Sequence, residues 1–392
     1  MIKQQGKGDL KLNNTEKALI ALIRNAVCGT ADNVEIASVE DAQHIWELAG
    51  EHSVENILAT EFLKHPLFEE DDEMKSFFSQ EIYYAMCDSE QRDFETTRVT
   101  KALDAAGIEY IPLKGAVIKD YYPESWYRAS CDVDILVREE TLNKAVEAVL
   151  AIPGYTAGEK GKHDIGLHSE SGYHIELHFV LVEYFPKADS VLSRVWEYSQ
   201  TDVGFMYHMT DEFFYLYHII HMAKHFIHGG CGIKPFVDMW IIENKLNLDI
   251  DRFYEMLDAC GMRAFYENVR FVMEIWFGDG SNTEISERII RYIFDGGVYG
   301  TQEQMTAVDS SRSGKRGYIL TRLFLPMEEM KISYKILNKY PFLAPYYHLK
   351  RIFKVFADGR VGRSINEIKI NSKMDKTKLD GIKEMLEKCE LI

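Results

Sequence analysis

The sequence predicts an α+β protein, a small mixed β-sheet core flanked by N-terminal and C-terminal helical regions. Apolar residues recur at helical spacing from Asn14 to Ala106 and again from Asp211 onward. Between them, Tyr110 to Phe179 switches to the period-two alternation of strands, broken by turn residues. The 392 residues are 46% hydrophobic and 12% aromatic, which suits an ordered chain long enough for two or three domains. We therefore expect an N-terminal helical region over 1–106, an α/β core over 107–205 and a C-terminal helical domain over 206–392.

Taken in order, Asn14 or Thr15 can cap a first helix running to about Val27. Ser38-Val-Glu-Asp41 resembles a capping box and opens a helix ending near Gly50. A third helix spans about Val54 to Lys64. Asp71-Asp72-Glu73 then places negative charge at the start of a long helical pattern, with a break, that Gly107 stops. In the core, a strand over Glu109–Leu113 runs into a helix over Ala116–Tyr122. The strand Asp132–Val137 leads to a helix over Glu139–Leu150, ended by Pro153-Gly154. His163–Ser169 and Tyr173–Phe179, joined by Glu170-Ser-Gly172, read as a hairpin. From Asp211 the chain turns helical again, with helices over Trp240–Leu246, Asp251–Cys260, Met262–Phe277 and Ile285–Phe294. A polar loop over Asp309–Arg316 precedes helices over Gly317–Leu323 and Met327–Asn338. Pro345 starts another helix, and Lys376–Glu390 is a last amphipathic one.

The chemistry concentrates where three carboxylates fall. Val133, Ile135 and Val137 alternate with Asp132, Asp134 and Leu136, so Asp132 and Asp134 share one face of a strand. Ile175, Leu177 and Phe179 alternate with His174, Glu176 and His178. If the two strands pair, the three carboxylates converge on a patch that repels itself. Divalent cations with oxygen preference, Mg²⁺ above all, would neutralise it. Two such ions can clamp the attacking and leaving oxygens of a phosphoryl or nucleotidyl displacement. Lys114-Gly115, at a strand-to-helix turn, lets backbone approach a phosphate, with Lys114 as a point charge for it. Arg128, in the loop entering the Asp132 strand, either clamps a phosphate or acceptor or forms a salt bridge to a nearby carboxylate.

The order Leu113-Lys114-Gly115, then Arg128, then Asp132-Val-Asp-Ile-Leu-Val137, then Glu176-Leu-His178 resembles the bacterial family of uncharacterised nucleotidyltransferases, within the polymerase-β-type superfamily. The resemblance is strongest over 108–180. It implies an NTP donor, ATP among the candidates, with Asp132, Asp134 and Glu176 as catalytic residues and metal ligands. Lys114 and the amides near Gly115 would steady the departing pyrophosphate, and Glu176 is also placed to take the acceptor's proton. The superfamily's usual Gly-Ser turn is replaced here by Lys114-Gly115, without the Ser. That departure motivates an alternative: a catalytically inactive nucleotide-binding or regulatory module acting through protein partners. In the resembling family the helix after Asp211, with Asp238, looks like the helical partner of the site, and His225, with Lys224, would face the cleft and contact nucleotide.

His218, His221 and His225 follow i, i+3, i+7 spacing, so a zinc site on that helix is a third reading. His163, His168, His174 and His178 flank the carboxylate strands. The net charge of −17 argues against bulk nucleic-acid binding, which needs excess Lys and Arg. His348–Arg363, a basic amphipathic stretch, is the best candidate for an anionic partner. The six scattered cysteines, with no Cys-x-x-Cys pair, point to reduced thiols and a cytoplasmic setting. No apolar run approaches the roughly 20 residues of a membrane span. The acceptor and the oligomeric state have no signature in the sequence.

Overall fold

The computed structural model describes residues 12–201, 204–311, 325, 327, 330–331, 334–357 and 375–392, the side chains of 352–357 excepted. The chain opens with α1 (Asn14–Cys28), α2 (Val39–Glu51), α3 (Glu55–Lys64) and α4 (Asp72–Ala105). Asn13 caps α1 one residue earlier than expected. Its side chain accepts the Glu16 N–H at 2.9 Å, and the Glu16 carboxylate accepts the Asn13 N–H at 2.9 Å. The reciprocal pair satisfies two amides that helix geometry orphans, and Asn14 or Thr15 would have left Glu16 without that role. The α4 helix runs without the expected break. Asp71 accepts the Met74 N–H at its start, and Val99 and Leu103 are fully buried near its end.

The core follows the predicted order with additions. A five-stranded sheet comprises β1 (Tyr110–Pro112), β2 (Asp132–Val137), β3 (Tyr155–Lys160), β4 (Asp164–Ser169) and β5 (His174–His178). Their spatial order is β1-β2-β5-β4-β3, with β2 and β5 parallel and every other pair antiparallel. The edge strand β3 was not expected: all its residues after Tyr155 are exposed, so it shows no apolar alternation. A short α5 (Gly115–Ile118) follows β1, and α6 (Leu142–Leu150) lies between β2 and β3.

One face of the sheet is apolar. Val133, Ile135, Val137, Ile175 and Leu177 pack with Val99 and Leu103 of α4 and with Leu142, Ala145 and Val149 of α6. Each such side chain contributes on the order of 2 kcal/mol when fully buried. The other face carries the polar residues and looks toward the C-terminal helices. These are α7 (Pro186–Leu192), α8 (Asp211–Ile227), α9 (Lys234–Lys245), α10 (Ile250–Cys260), α11 (Arg263–Phe277) and α12 (Glu284–Gly296). The α9 helix starts before the expected Trp240, because Pro235 stands in its first turn where a missing N–H costs nothing. A second cluster joins α1–α4 to these helices and takes Ile111, Leu113 and Leu136 from the sheet region, so N-terminal and C-terminal helices share one core.

Residues 302–311 form a helix, α13, so Asp309 to Ser311 are helical and not the start of the expected loop. Buried Ala307 and Val308 hold that helix in place. The remainder of the expected loop and the helix over Gly317–Leu323 lie outside the described residues, as do Arg360 and Arg363 of the basic stretch. Of the expected Met327–Asn338 helix, Lys335–Asn338 is 3-10 turn. The last helices are α14 (Ala344–Ala357) and α15 (Lys376–Lys388). Among the described residues no helix is long and apolar enough to cross a membrane, and all six cysteines are unbonded.

Candidate active site

The parallel pairing of β2 and β5 builds the site. Its register sets Asp132 opposite His174, Asp134 opposite Glu176 and Leu136 opposite His178. Side chains directly opposite on one face stand about 5 Å apart at Cβ, so the carboxylates of Asp134 and Glu176 converge. Ligand atoms of Asp134, Glu176 and His178 all lie within 4.8 Å of one another. Asp132 stands on the same face, two residues nearer the mouth, with its Oδ1 3.3 Å from the Ser130 hydroxyl.

Asp134 is the buried centre of this group, only 4% exposed. It accepts hydrogen bonds from His178 Nε2 at 2.7 Å and from Lys114 Nζ at 3.1 Å. Burial works to raise its pKa, but the Lys114 ammonium and the His178 imidazole outweigh it and hold the carboxyl below its ordinary range. The reverse holds at Asp132, where burial and then the Asp134 charge push the carboxyl up. The Glu176 carboxyl is lowered, chiefly by the hydrogen bond from His178. Burial opposes the charged form of His178, yet its bonds to Asp134 and Glu176 raise it to about 9. Lys114 and protonated His178 thus balance a carboxylate cluster that would otherwise repel itself.

Lys114 pays for its position in the backbone. Its φ of 47° and ψ of −120° are the first central position of a tight turn that glycine normally holds. The Ala116 N–H closes that turn on the Leu113 carbonyl at 3.2 Å. Such strain in a residue with a Cβ costs about 1–3 kcal/mol and persists only where surrounding contacts over-determine it. Gly115 follows, packed beside the β2 entry: a Cβ there would stand in ordinary contact, 3.4 Å from Ser130 Oγ and 3.6 Å from an Arg128 nitrogen.

Arg128 takes the salt-bridge role. Its Nε and a terminal nitrogen reach the two oxygens of Asp238 at 2.7 and 2.8 Å, and Tyr122 donates to the same carboxylate at 2.6 Å. This buried fork ties the loop entering β2 to α9 and leaves Arg128 acting on the site through that loop.

A second polar cluster, from α8 and the segment after β5, adjoins the first. The buried Glu183 carboxylate lies 2.9 Å from His221 Nδ1 and 2.8 Å from Lys224 Nζ. His221 Nε2 and His225 Nε2 are 3.0 Å apart. Lys114 links the two clusters, since Glu183 and His221 both act on its charge or feel it. Tyr217 stands among them, fully buried and kept neutral chiefly by that burial. His218 turns away to the Pro235 carbonyl at 3.0 Å and so does not join its helix neighbours in a ligand set. Among the described residues the group that gathers as metal ligands is Asp134, Glu176 and His178. His168 and His174 stack on each other at 4.6 Å.

Glu183 and Tyr217 are the participants that sequence reasoning did not single out. Glu183 lies in an irregular segment where periodicity has no meaning, and Tyr217 reads as one more aromatic in a buried helix. No local sequence signal marks either residue; the structure adds that Tyr184, beside Glu183, has a φ of 65°.

Paired strands thus carry three carboxylates on one face, beside the Lys114 turn and next to the cluster that holds the α8 histidines. The family model for uncharacterised nucleotidyltransferases matches residues 38–278. The chain belongs to that family. The match covers more than half of the 392 residues. It takes in the sheet, the carboxylates, Glu183 and the α8 histidines. No curated protein and no solved structure matches the chain. Family membership makes the chain a nucleotidyltransferase at the level of general class.

Proposed function

We propose that the protein is a Mg²⁺-dependent nucleotidyltransferase that moves an NMP unit from an NTP to an acceptor and releases pyrophosphate. The observation that carries this reading is the parallel β2–β5 register, which sets Asp134 against Glu176 with Asp132 beside them. The residues fit a divalent ion. Asp132, Asp134 and Glu176 offer hard oxygen donors, and after burial the Asp134 charge helps hold the Asp132 carboxyl up, a repulsion that a cation relieves. When bound, two Mg²⁺ ions supply charge neutralisation and polarise phosphoryl oxygens.

The chain's own residues do the rest. Asp132, Asp134 and Glu176 would hold the ions. Lys114, on its strained turn, stands beside Asp134 and would offer its charge to the phosphates. Gly115 sets that turn beside Ser130. Arg128 positions the β2 entry through Asp238. Lys224 faces the nucleotide from α8, next to Glu183. We propose a cytoplasmic setting, with an NTP and a separate acceptor as the partners.

The alternative, a nucleotide-binding module without catalysis, draws on the Lys114–Asp134 ion pair, which leaves Asp134 already neutralised without metal. One experiment separates the two. The purified chain is titrated with ATP, GTP, CTP and UTP, with and without Mg²⁺, following the melting temperature, and pyrophosphate release is measured alongside. A ligand that binds only the folded state raises the melting temperature. We expect a Mg²⁺-dependent rise with at least one nucleotide, lost in Asp132→Asn/Asp134→Asn together with turnover. Activity retained in the folded double variant would sink the site, and binding with no pyrophosphate release would favour the module.

A further inference from the structure

The Glu183–His221–His225 row has a directionality that the carboxylate cluster lacks. His221 Nδ1 faces the Glu183 carboxylate at 2.9 Å and must donate to it. In a neutral imidazole the other nitrogen then accepts. His221 Nε2 therefore accepts from His225 Nε2, 3.0 Å away. That leaves His225 Nδ1 as the unprotonated end of the row, and it makes no hydrogen bond among the described residues. Glu183 is 3% exposed, whereas His221 and His225 are half-buried on the α8 face nearest Lys114. The arrangement is a carboxylate, a bridging imidazole and a terminal imidazole with a free lone pair.

This inference rests on the nucleotidyl-transfer reading above and deepens it. We propose that His225 is the catalytic base that takes the proton of an acceptor hydroxyl, with His221 and Glu183 as positioning residues that set its tautomer and share its charge. In the step, the acceptor O–H proton passes to His225 Nδ1 as the oxygen forms a bond to the α-phosphorus. The bond from that phosphorus to the β-bridging oxygen breaks, and its electron pair leaves with pyrophosphate. The new imidazolium charge is spread through His225 Nε2–H to His221 and through His221 Nδ1–H to Glu183.

The carboxylates of the first cluster are worse placed for this work. Glu176 and Asp134 already face the His178 ring, at 3.4 and 2.7 Å. The groups facing the histidine row are Tyr217 and Lys224 on α8, Lys114 from the turn after β1, Glu183 after β5 and His163 before β4. Burial first, and then the neighbouring cations, lower both rings, so both are neutral at pH 7. An arriving triphosphate offsets Lys114 and Lys224 and raises the basicity of His225 when substrate is bound. A base is needed only by an acceptor with a proton to lose. The class of acceptor is therefore an alcohol, as in a sugar or a hydroxyl side chain, and not an already ionised phosphate.

The test uses the full chain with Mg²⁺ and the NTP that gives the largest thermal shift. Pyrophosphate release is followed with two probes, glycerol as an alcohol and azide as a nucleophile with no proton to remove. Removal of a general base costs roughly 10²–10⁴-fold. We expect His225→Gln to lose at least a hundredfold with glycerol and less than about threefold with azide, while its Mg²⁺–NTP thermal shift stays. Glu183→Gln, the second variant, should shift the acid limb of the glycerol pH profile to lower pH and leave the azide rate in place. Equal losses with both probes, or no loss with either, overturn the base role. A wild-type chain that binds Mg²⁺–NTP yet gives no pyrophosphate with glycerol at any pH overturns the hydroxyl-acceptor inference alone. No thermal shift and no release with either probe would instead remove the nucleotidyl-transfer reading beneath it.

Discussion

At the scale of single residues, Lys114 and His52 show how local conformation and burial decide behaviour. Lys114 combines backbone strain with a buried ion pair to Asp134. Lys114→Gly relieves the strain but leaves Asp134 buried without that partner, and breaking a buried pair costs about 3–5 kcal/mol. We expect a net loss of about 2 kcal/mol in denaturant titration, smaller when Mg²⁺ is present. His52 is fully buried, with neither ring nitrogen hydrogen-bonded among the described residues, edge-on to Phe294 at 5.2 Å. Burial, helped by Arg291, lowers its pKa to about 4 from an ordinary 6.5. Between those values the unfolded chain binds the proton and the folded chain does not. The stability it allows is fully present above pH 6.5 and falls as the pH drops toward 4. His52→Leu should therefore flatten the acid side of the stability profile by on the order of 3 kcal/mol, read from melts at pH 7 and pH 4.5. Equal acid sensitivity in variant and wild type would refute this.

At the scale of elements, the strands carrying chemistry were legible because alternation states which residues share a face, whatever the partner. Asp132 and Asp134 on β2 and Glu176 on β5 follow from that rule alone. The edge strand β3 was not legible, since a strand exposed on both faces leaves no pattern. The connection from α8 to α9 was equally silent, yet it is tightly built. A Cβ on Gly230 would lie 2.0 Å from Gly300 N, so the backbone of this connection presses directly on the turn after α12. Neither backbone can yield as a side chain would. Gly230→Ala should cost more than about 3 kcal/mol or abolish folding, measured by thermal melts, with loss of Mg²⁺–NTP binding to match. A fully stable Gly230→Ala chain would mean that the two segments do not press together.

At the scale of the molecule, the site lies between two cores. One joins the apolar sheet face to α4 and α6, and the other joins N-terminal and C-terminal helices. The buried Arg128–Asp238–Tyr122 network ties the loop entering β2 to α9, linking residues far apart in sequence. Arg128→Met leaves Asp238 charged and without its fork, so we expect a loss of about 3–5 kcal/mol. Asp238→Asn in the same chain should restore part of it, because no bare carboxylate then remains. Additive losses in that double-variant cycle would show that the pair is not coupled.

The sequence by itself determined the α+β class, the faces of the two carboxylate strands, the Lys114-Gly115 turn and the family to which the chain belongs. Those features rest on neighbours in the chain, through strand alternation, helix periodicity and short motifs. Only the tertiary structure decided that Arg128 is held by Asp238, that Lys114 and His178 share Asp134, and that Glu183, His221 and His225 form one row. Each of those contacts joins residues from different elements. Which partner a charged side chain finds depends on how the sheet and helices pack, and no local pattern encodes that distance.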